Sequence, residues 1–328
     1  MLSLCMIVKD EAAWLKEALA AAKPFVDELI VVDTGSSDNS MAIAEEAGAK
    51  VYRFQWEHDY AKAKNIALEH AAQEWILVLD ADERISAEDF AKLRDFLAKT
   101  EADAVKLEIR NYVKDAGLGC AVCAPSEITK GATAYRPIKL ARVFRNSGYR
   151  YVNRVHEMIE PSVEAAKGMI IDAPFVIHHY GILFSSNLKH KLRYYGWLVF
   201  KELTEHPENV RALFLAGQFC QERKQLDRAL DYYQHAAKHD PKYKNVWFSI
   251  ANVHLEQRHN EQAMHAYEQS LIHNPDSPNA PQAVNNLAVL YANANRKEDA
   301  KKILVAGLKR FPTDQVLKKN AERFMAMA

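Results

Sequence analysis

Trp75-Ile76-Leu77-Val78-Leu79-Asp80-Ala81-Asp82-Glu83 is an apolar run of strand length that stops abruptly on alternating carboxylates. A continuous apolar run of this length reads as a strand buried on both faces. Working outward, the same arrangement recurs upstream. Leu2–Val8 is apolar, and Glu28–Val32 (apolar at 29–32) ends at Asp33-Thr34-Gly35-Ser36-Ser37-Asp38. Lys50–Phe54 reads as one more strand. Helical stretches separate these runs: Ala12–Ala22, Asn39–Ala47 with Asp38 as its expected N-cap, and the Ala-rich Asp59–Ala72. The order βαβαβαβ predicts a parallel sheet with helices on its faces, and such sheets bind ligands beyond the carboxyl ends of their strands. Both acidic clusters, 33–38 and 80–83, fall at carboxyl ends.

Asp80 and Asp82, two positions apart on a turn, can present oxygens to a hard divalent cation such as Mg2+ or Mn2+. A departing diphosphate needs such a cation to take up the charge that develops on it. Beyond residue 104 the pattern is mostly strands, at Val105–Tyr112, Ile138–Phe144, Val155–Glu160 and Met169–Ile177. A helix at about Ser186–His206 then leads into the C-terminal third.

That third is repetitive. Pro207, Pro241, Pro275 and Pro312 stand 34, 34 and 37 residues apart. Between them recur Leu213-x-x-Ala216-Gly217-x-x-Cys220 with Ala229-x-x-x-Tyr233, then Trp247-x-x-Ile250-Ala251-x-x-His254 with Ala263-x-x-x-Tyr267. The third unit has Val284-x-x-Leu287-Ala288-x-x-Tyr291 with Ala300-x-x-x-Leu304. Small residues at 217, 251 and 288, and at 229, 263 and 300, let the two helices of a unit approach closely, and Pro marks the end of each second helix. Residues 207–312 resemble the tetratricopeptide family, with Asp314–Met327 as a capping helix. Arrays of this kind form concave surfaces that hold extended peptides or partner proteins.

Composition sets the bounds. The chain has 328 residues, 49% apolar and 26% charged, the profile of an ordinary globular protein of about two domains. Its 43 basic residues balance 43 acidic ones, which argues against holding nucleic acid or an anionic membrane by bulk charge. No apolar run approaches the roughly 18 residues of a membrane span. Leu2–Val8 runs straight into Lys9-Asp10-Glu11, unlike a secretory signal. Cys120-x-x-Cys123 is the one close pair among four cysteines, and no second pair completes a zinc site. Reduced thiols and a cytoplasmic location are the expectation.

Four segments together resemble family 2 glycosyltransferases with the GT-A fold. They are Ser3-Leu4-Cys5-Met6-Ile7-Val8-Lys9-Asp10-Glu11, the run from Val31 to Ser40, Trp56-x-x-Asp59-Tyr60-Ala61-x-Ala63-Lys64-Asn65, and Trp75 to Glu83. The resemblance covers about residues 1–185. It is strongest to bacterial glycosyltransferases with C-terminal tetratricopeptide repeats, a group that includes peptide S-glycosyltransferases and lipopolysaccharide-core glucosyltransferase-like enzymes. It implies a Rossmann-like, mostly parallel α/β GT-A domain (1–185), a linking helix (186–206) and an all-α tetratricopeptide superhelix (207–328).

The resemblance also implies roles. Asp33 would hydrogen-bond the base or ribose of a nucleotide-sugar donor, with Val8 and Glu11 lining the nucleotide pocket. Asp80 would contact the ribose or donor sugar, and Asp82 would ligate Mn2+ or Mg2+. The family often has Asn at Asp10 and Arg at Lys64. Lys64 keeps a cation near the phosphates but not a planar, bidentate contact. Arg142-Val143-Phe144-Arg145-Asn146 and Tyr151 to Glu157 resemble a later segment of the same group. There Glu157 is the candidate general base, at a strand end, and His156 its orienter or an acceptor contact. In Ile177-His178-His179-Tyr180-Gly181 a histidine would complete the metal shell or touch the diphosphate. Neighbouring strand residues face opposite ways, so one of the two serves, and the match to His-Tyr-Gly favours His179.

The leading expectation is a metal-dependent, inverting glycosyltransferase that moves a sugar from a nucleotide-diphosphate donor, UDP by family habit, to a polypeptide positioned by the repeats. One alternative is a saccharide or lipid-linked acceptor, with the repeats serving homodimerisation. The other is a non-catalytic scaffold whose working surface is the repeats. No nucleic-acid partner is expected.

Overall fold

The computed structural model describes residues 1–117, 119–184 and 188–326. They form two compact units, Met1–Leu198 and Val199–Ala328. The first begins with β1 (Leu2–Val8), α1 (Ala12–Ala22), β2 (Glu28–Asp33), α2 (Ser40–Glu46), β3 (Lys50–Arg53), α3 (Tyr60–Glu69) and β4 (Trp75–Val78). It continues with β5 (Glu83–Ile85), α4 (Ala87–Leu97), β6 (Ala104–Val113), β7 (Ala121–Val122), β8 (Ala134–Arg145), α5 (Glu160–Ala165), β9 (Ile170–His179) and α6 (Gly181–Phe184). Next comes α7 (Leu188–Glu205); the junction expected at 185–186 lies outside the described residues.

One sheet runs β3-β2-β1-β4-β8-β6-β9-β5, with β7 beside β8. Its first four strands are mutually parallel. The rest is mixed, because β8 pairs antiparallel with both β4 and β6, and β5 antiparallel with β9. Side-chain alternation assigns the two faces. Leu2, Leu4, Met6 and Val8 join Trp75, Leu77 and Leu79 in a core with Leu15, Leu19, Phe90 and Leu93. Cys5, Ile30, Val32, Ile76 and Val78 face the other way, onto Ala61, Ala67, Leu68 and Tyr151. The apolar runs therefore lack polar alternation because both faces are covered.

Two local expectations are corrected. Val155–Glu160 is not a strand: it is a loop with one isolated bridge, Val152 to Met158, and Glu160 already opens α5. Asn153 and His156 take left-handed backbone angles, φ 72° and 52°, which interrupt any extended run. Asp38 does not occupy the N-cap of α2; Asn39 does. Asp38 instead accepts the Ser40 N–H at 2.9 Å and, through its other oxygen, the Ala12 N–H at 3.0 Å, tying the first turn of α1 to that of α2.

The second unit stacks α8 (Val210–Glu222) with α9 (Leu226–His239), α10 (Val246–Glu256) with α11 (Asn260–His273), and α12 (Ala280–Asn293) with α13 (Lys297–Arg310), followed by α14 (Gln315–Ala326). Close approach within a pair is visible at Gly217, where a Cβ would stand 2.5 Å from the Tyr233 ring. Ala229, Ala263 and Ala300 are fully buried. A polar cavity of about 320 Å3 opens among Gln218, Gln221, Tyr233, Ser249, Asn252 and Glu256. All four cysteines are free. No helix among the described residues is long and apolar enough to cross a membrane.

Candidate active site

The parallel register sets Val8 beside Asp33, both at the carboxyl edge. Val8 is buried, and its carbonyl accepts the Thr34 N–H at 2.9 Å, holding the β2 turn in place. Asp33 is 3% exposed. Its Oδ1 accepts the N–H groups of Gly35 (2.9 Å) and Ser36 (3.0 Å), whereas Oδ2 is buried without a partner. A buried carboxylate oxygen left unpaired costs free energy unless a ligand donates to it. Asp10 clamps the same turn, accepting the Ser37 N–H at 2.6 Å. Glu11 follows. Burial, and next the Asp82 charge, push its carboxyl up to about 7.

Asp80 and Asp82 emerge from β4. Lys64, on α3 and 5% exposed, sits 2.7 Å from Glu157 Oε1 and 3.5 Å from Asp80 Oδ1. Burial alone would lower the lysine pKa, but the two carboxylates outweigh it and hold the ammonium charged. Arg142, on β8, lies 2.7 Å from Glu83 Oε1 and 3.8 Å from Asp80 Oδ2. Burial would raise Asp80; Lys64 and Arg142 instead hold it well below the usual carboxylate range. Glu83 is 1% exposed and also accepts the Asp80 N–H at 2.9 Å. The loop 151–158 thus brings Glu157 to the site from outside the sheet. His156 is exposed, its ring 5.7 Å from that of Tyr195.

The β5–β9 ladder pairs Glu83 with His179, and β6–β9 pairs Asn111 with His179. His179 Nε2 consequently lies 3.4 Å from Asp82 Oδ2, while Nδ1 is 2.6 Å from Asn111 Oδ1. Burial disfavours its charge, but Asp82 and Glu83 raise its pKa overall. His178 points the other way, 2.6 Å from the Tyr112 hydroxyl and stacked on that ring. Gly181 completes the corner: a Cβ there would contact Asp82 Oδ2 and stand 2.7 Å from His179 Nε2. Two donors therefore face one space that a single methyl group would fill. Among the described residues no three His, Cys, Asp or Glu side chains are grouped to hold a metal by themselves. A carboxylate and an oriented imidazole, supplemented by substrate oxygens, suit Mg2+ or Mn2+.

The structure therefore gathers Val8, Glu11, Asp33, Lys64, Asp80, Asp82, Glu157 and His179 along one sheet edge and its loops. Arg142, Glu83, Asn111 and Gly181 belong with them, although their sequence neighbourhoods assign them no roles. Their partners lie far along the chain, Arg142 and Glu83 being 59 residues apart.

His178 offers a test of this corner. Burial, and next Arg110, push its pKa down from 6.5 to about 4. The unfolded chain then binds the extra proton between these values. The contribution is complete above pH 6.5 and is lost as the pH falls toward 4, on the order of 3 kcal/mol. Denaturant unfolding of His178→Phe, which keeps a ring on Tyr112, is expected to fall less steeply over pH 7 to 4.5 than the unaltered protein. Equal slopes would contradict the assignment.

Residues 3–119 match the Glycosyl transferase family 2 family. Residues 192–244, 221–280 and 254–319 match tetratricopeptide repeat families. The chain is 40% identical over 186 residues to a TPR repeat-containing protein of Synechococcus elongatus, covering 55% of this chain and 42% of that one. It is 44% identical over 87 residues to an uncharacterized glycosyltransferase of Rickettsia felis, covering 26% and 30% respectively. It is 24% identical over 245 residues to the SPbeta prophage-derived glycosyltransferase SunS of Bacillus subtilis, covering 73% and 54%. The chain spans less than two thirds of the length of each of these relatives. It carries a glycosyl transferase family 2 domain at its N-terminal end and tetratricopeptide repeats at its C-terminal end.

Proposed function

We propose that this protein is a metal-dependent, inverting glycosyltransferase that uses a nucleotide-diphosphate sugar, UDP-linked by family habit, and a polypeptide acceptor held by the repeats. The observation that carries the reading is the convergence of Asp33, Asp80, Asp82 and His179 on one sheet edge, with Asp33 Oδ2 buried and unpaired. Asp33 and Val8 would take the nucleoside, with Glu11 beside them, and Asp80 the ribose or sugar. Asp82 and His179 would hold the divalent cation, whose chemistry is to neutralise the diphosphate.

In the transfer, the bond from the anomeric carbon to the diphosphate oxygen breaks, and its electron pair leaves with the nucleoside diphosphate. The acceptor's nucleophilic atom bonds to that carbon from the opposite face, and its proton passes to Glu157. Lys64 would act as a positioning residue. It is buried between Glu157 and Asp80, so it aims the base and the sugar contact at a common point. The polar cavity among Gln218, Ser249 and Asn252 offers donors and acceptors that would serve a peptide backbone held on the repeats.

A turnover screen of nucleotide sugars with Mn2+, followed by mass spectrometry of modified proteins from the source cell, tests the proposal. Donor consumption by the unaltered chain and loss of it in Asp82→Asn are expected. No consumption with any nucleotide sugar would favour the scaffold reading instead.

A further inference from the structure

The cations at the site are already committed: Lys64 to Glu157 and Asp80, Arg142 to Glu83 and Asp80. The carboxylates that face the opening thus lack a free counter-charge from the sheet. A further cation stands on α7. Lys191 and Tyr195 are one turn apart and share a face of that helix, with the ammonium 6.0 Å from the Tyr195 ring centroid. Tyr195 in turn packs 6.0 Å from Tyr60, which starts α3, and 5.7 Å from His156, the neighbour of Glu157. Tyr194 fixes the next face of the helix, accepting the Trp56 indole N–H at 2.7 Å and lying 2.7 Å from His58 Nδ1. These rings seat the start of α7 beside the catalytic edge.

Lys191 itself is exposed, and among the described residues no carboxylate lies within ion-pair distance of it. Its ammonium lies over the Tyr195 ring, and that ring packs on His156, the neighbour of Glu157, and on Tyr60 at the start of α3.

We infer that Lys191 is a donor-binding residue that contacts the diphosphate of the nucleotide sugar and takes up negative charge on it as the sugar departs. This rests on the proposed function. The diphosphate gains one negative charge when the bond to the anomeric carbon breaks, and an uncommitted ammonium at the opening meets that charge without disturbing any existing pair. Lysine suits the task because it reaches a phosphate as a mobile point charge. Lys64 is buried with two carboxylate partners, so it offers the phosphates no uncommitted ammonium.

The test is calorimetric titration of the full chain with UDP, GDP, CDP and ADP in Mn2+, and with the free nucleosides, for the unaltered protein, Lys191→Ala and Lys191→Arg. The nucleoside diphosphate that binds is expected to bind Lys191→Ala about tenfold more weakly, the loss of one charge-assisted contact. Nucleoside affinity should not change, and Lys191→Arg should recover most of the loss. Undiminished diphosphate binding by Lys191→Ala, or equal weakening for the nucleoside, overturns the inference and leaves the proposed function standing. If the unaltered chain binds no nucleoside diphosphate, both fall.

Discussion

Gly181→Ala is expected to reduce sugar transfer by roughly a thousandfold, about 4 kcal/mol of lost transition-state stabilisation, while leaving the fold intact. Gly181 opens α6, and an alanine in a helix is ordinarily favoured over glycine by up to about 1 kcal/mol. Backbone preference therefore does not explain the glycine. The site does, because the added methyl would contact Asp82 Oδ2 and lie 2.7 Å from His179 Nε2. The methyl must push the two donors apart or occupy the space they share. Steady-state kinetics beside a thermal melt separate the outcomes. Normal turnover by a normally folded Gly181→Ala protein would show that the space between Asp82 and His179 takes no part in the reaction.

Arg142→Met is expected to destabilise the first unit by about 3–5 kcal/mol. Arg142 is buried, and its guanidinium is the counter-charge of Glu83, a carboxylate 1% exposed. Burial pushes Glu83 up against the pull of Arg142, so removing the arginine leaves a group that must either carry an unpaired buried charge or take up a proton. Adding Glu83→Gln should recover much of the loss, since no unpaired charge then remains; one amide oxygen can still accept the Asp80 N–H at the place Glu83 Oε2 now occupies. Denaturant unfolding of the single and double variants measures this. Additive losses in the pair would contradict the ion-pair explanation.

The parallel half of the sheet is readable in the chain because strands buried on both faces leave uninterrupted apolar runs, and their carboxyl ends are marked by Asp33 and Asp80. The repeats are readable because one packing problem, a small residue beneath a Tyr or Leu side chain, is solved three times, at spacings of 34 and 37 residues. Glu157 is harder to place. Val155 and Ile159 suggest a strand, but the left-handed residues Asn153 and His156 turn the segment into a loop, and it reaches the site from the side. Glu83, Arg142 and Asn111 have ordinary local surroundings; long-range ladder registers bring Glu83 and Asn111 to His179, and Arg142 meets Glu83 through a side-chain contact alone. Gly181 closes the His-Tyr-Gly motif in the sequence, but the reason for a glycine there shows only in the side chains beside it. Lys191 reads as one of many polar positions on a connecting helix, and its role emerges only from where the aromatic rings of α7 anchor.

On the proposed reading Asp82 and His179 hold a divalent cation against the diphosphate of a nucleotide bound at Asp33. Calorimetric titration of the full chain with UDP, with and without Mn2+, and of Asp82→Asn under the same conditions, measures this. We expect Mn2+ to tighten UDP binding at least about a hundredfold, and Asp82→Asn to remove that gain while retaining the metal-free affinity. UDP affinity that is the same with and without Mn2+, or a full Mn2+ effect in Asp82→Asn, would contradict the claim.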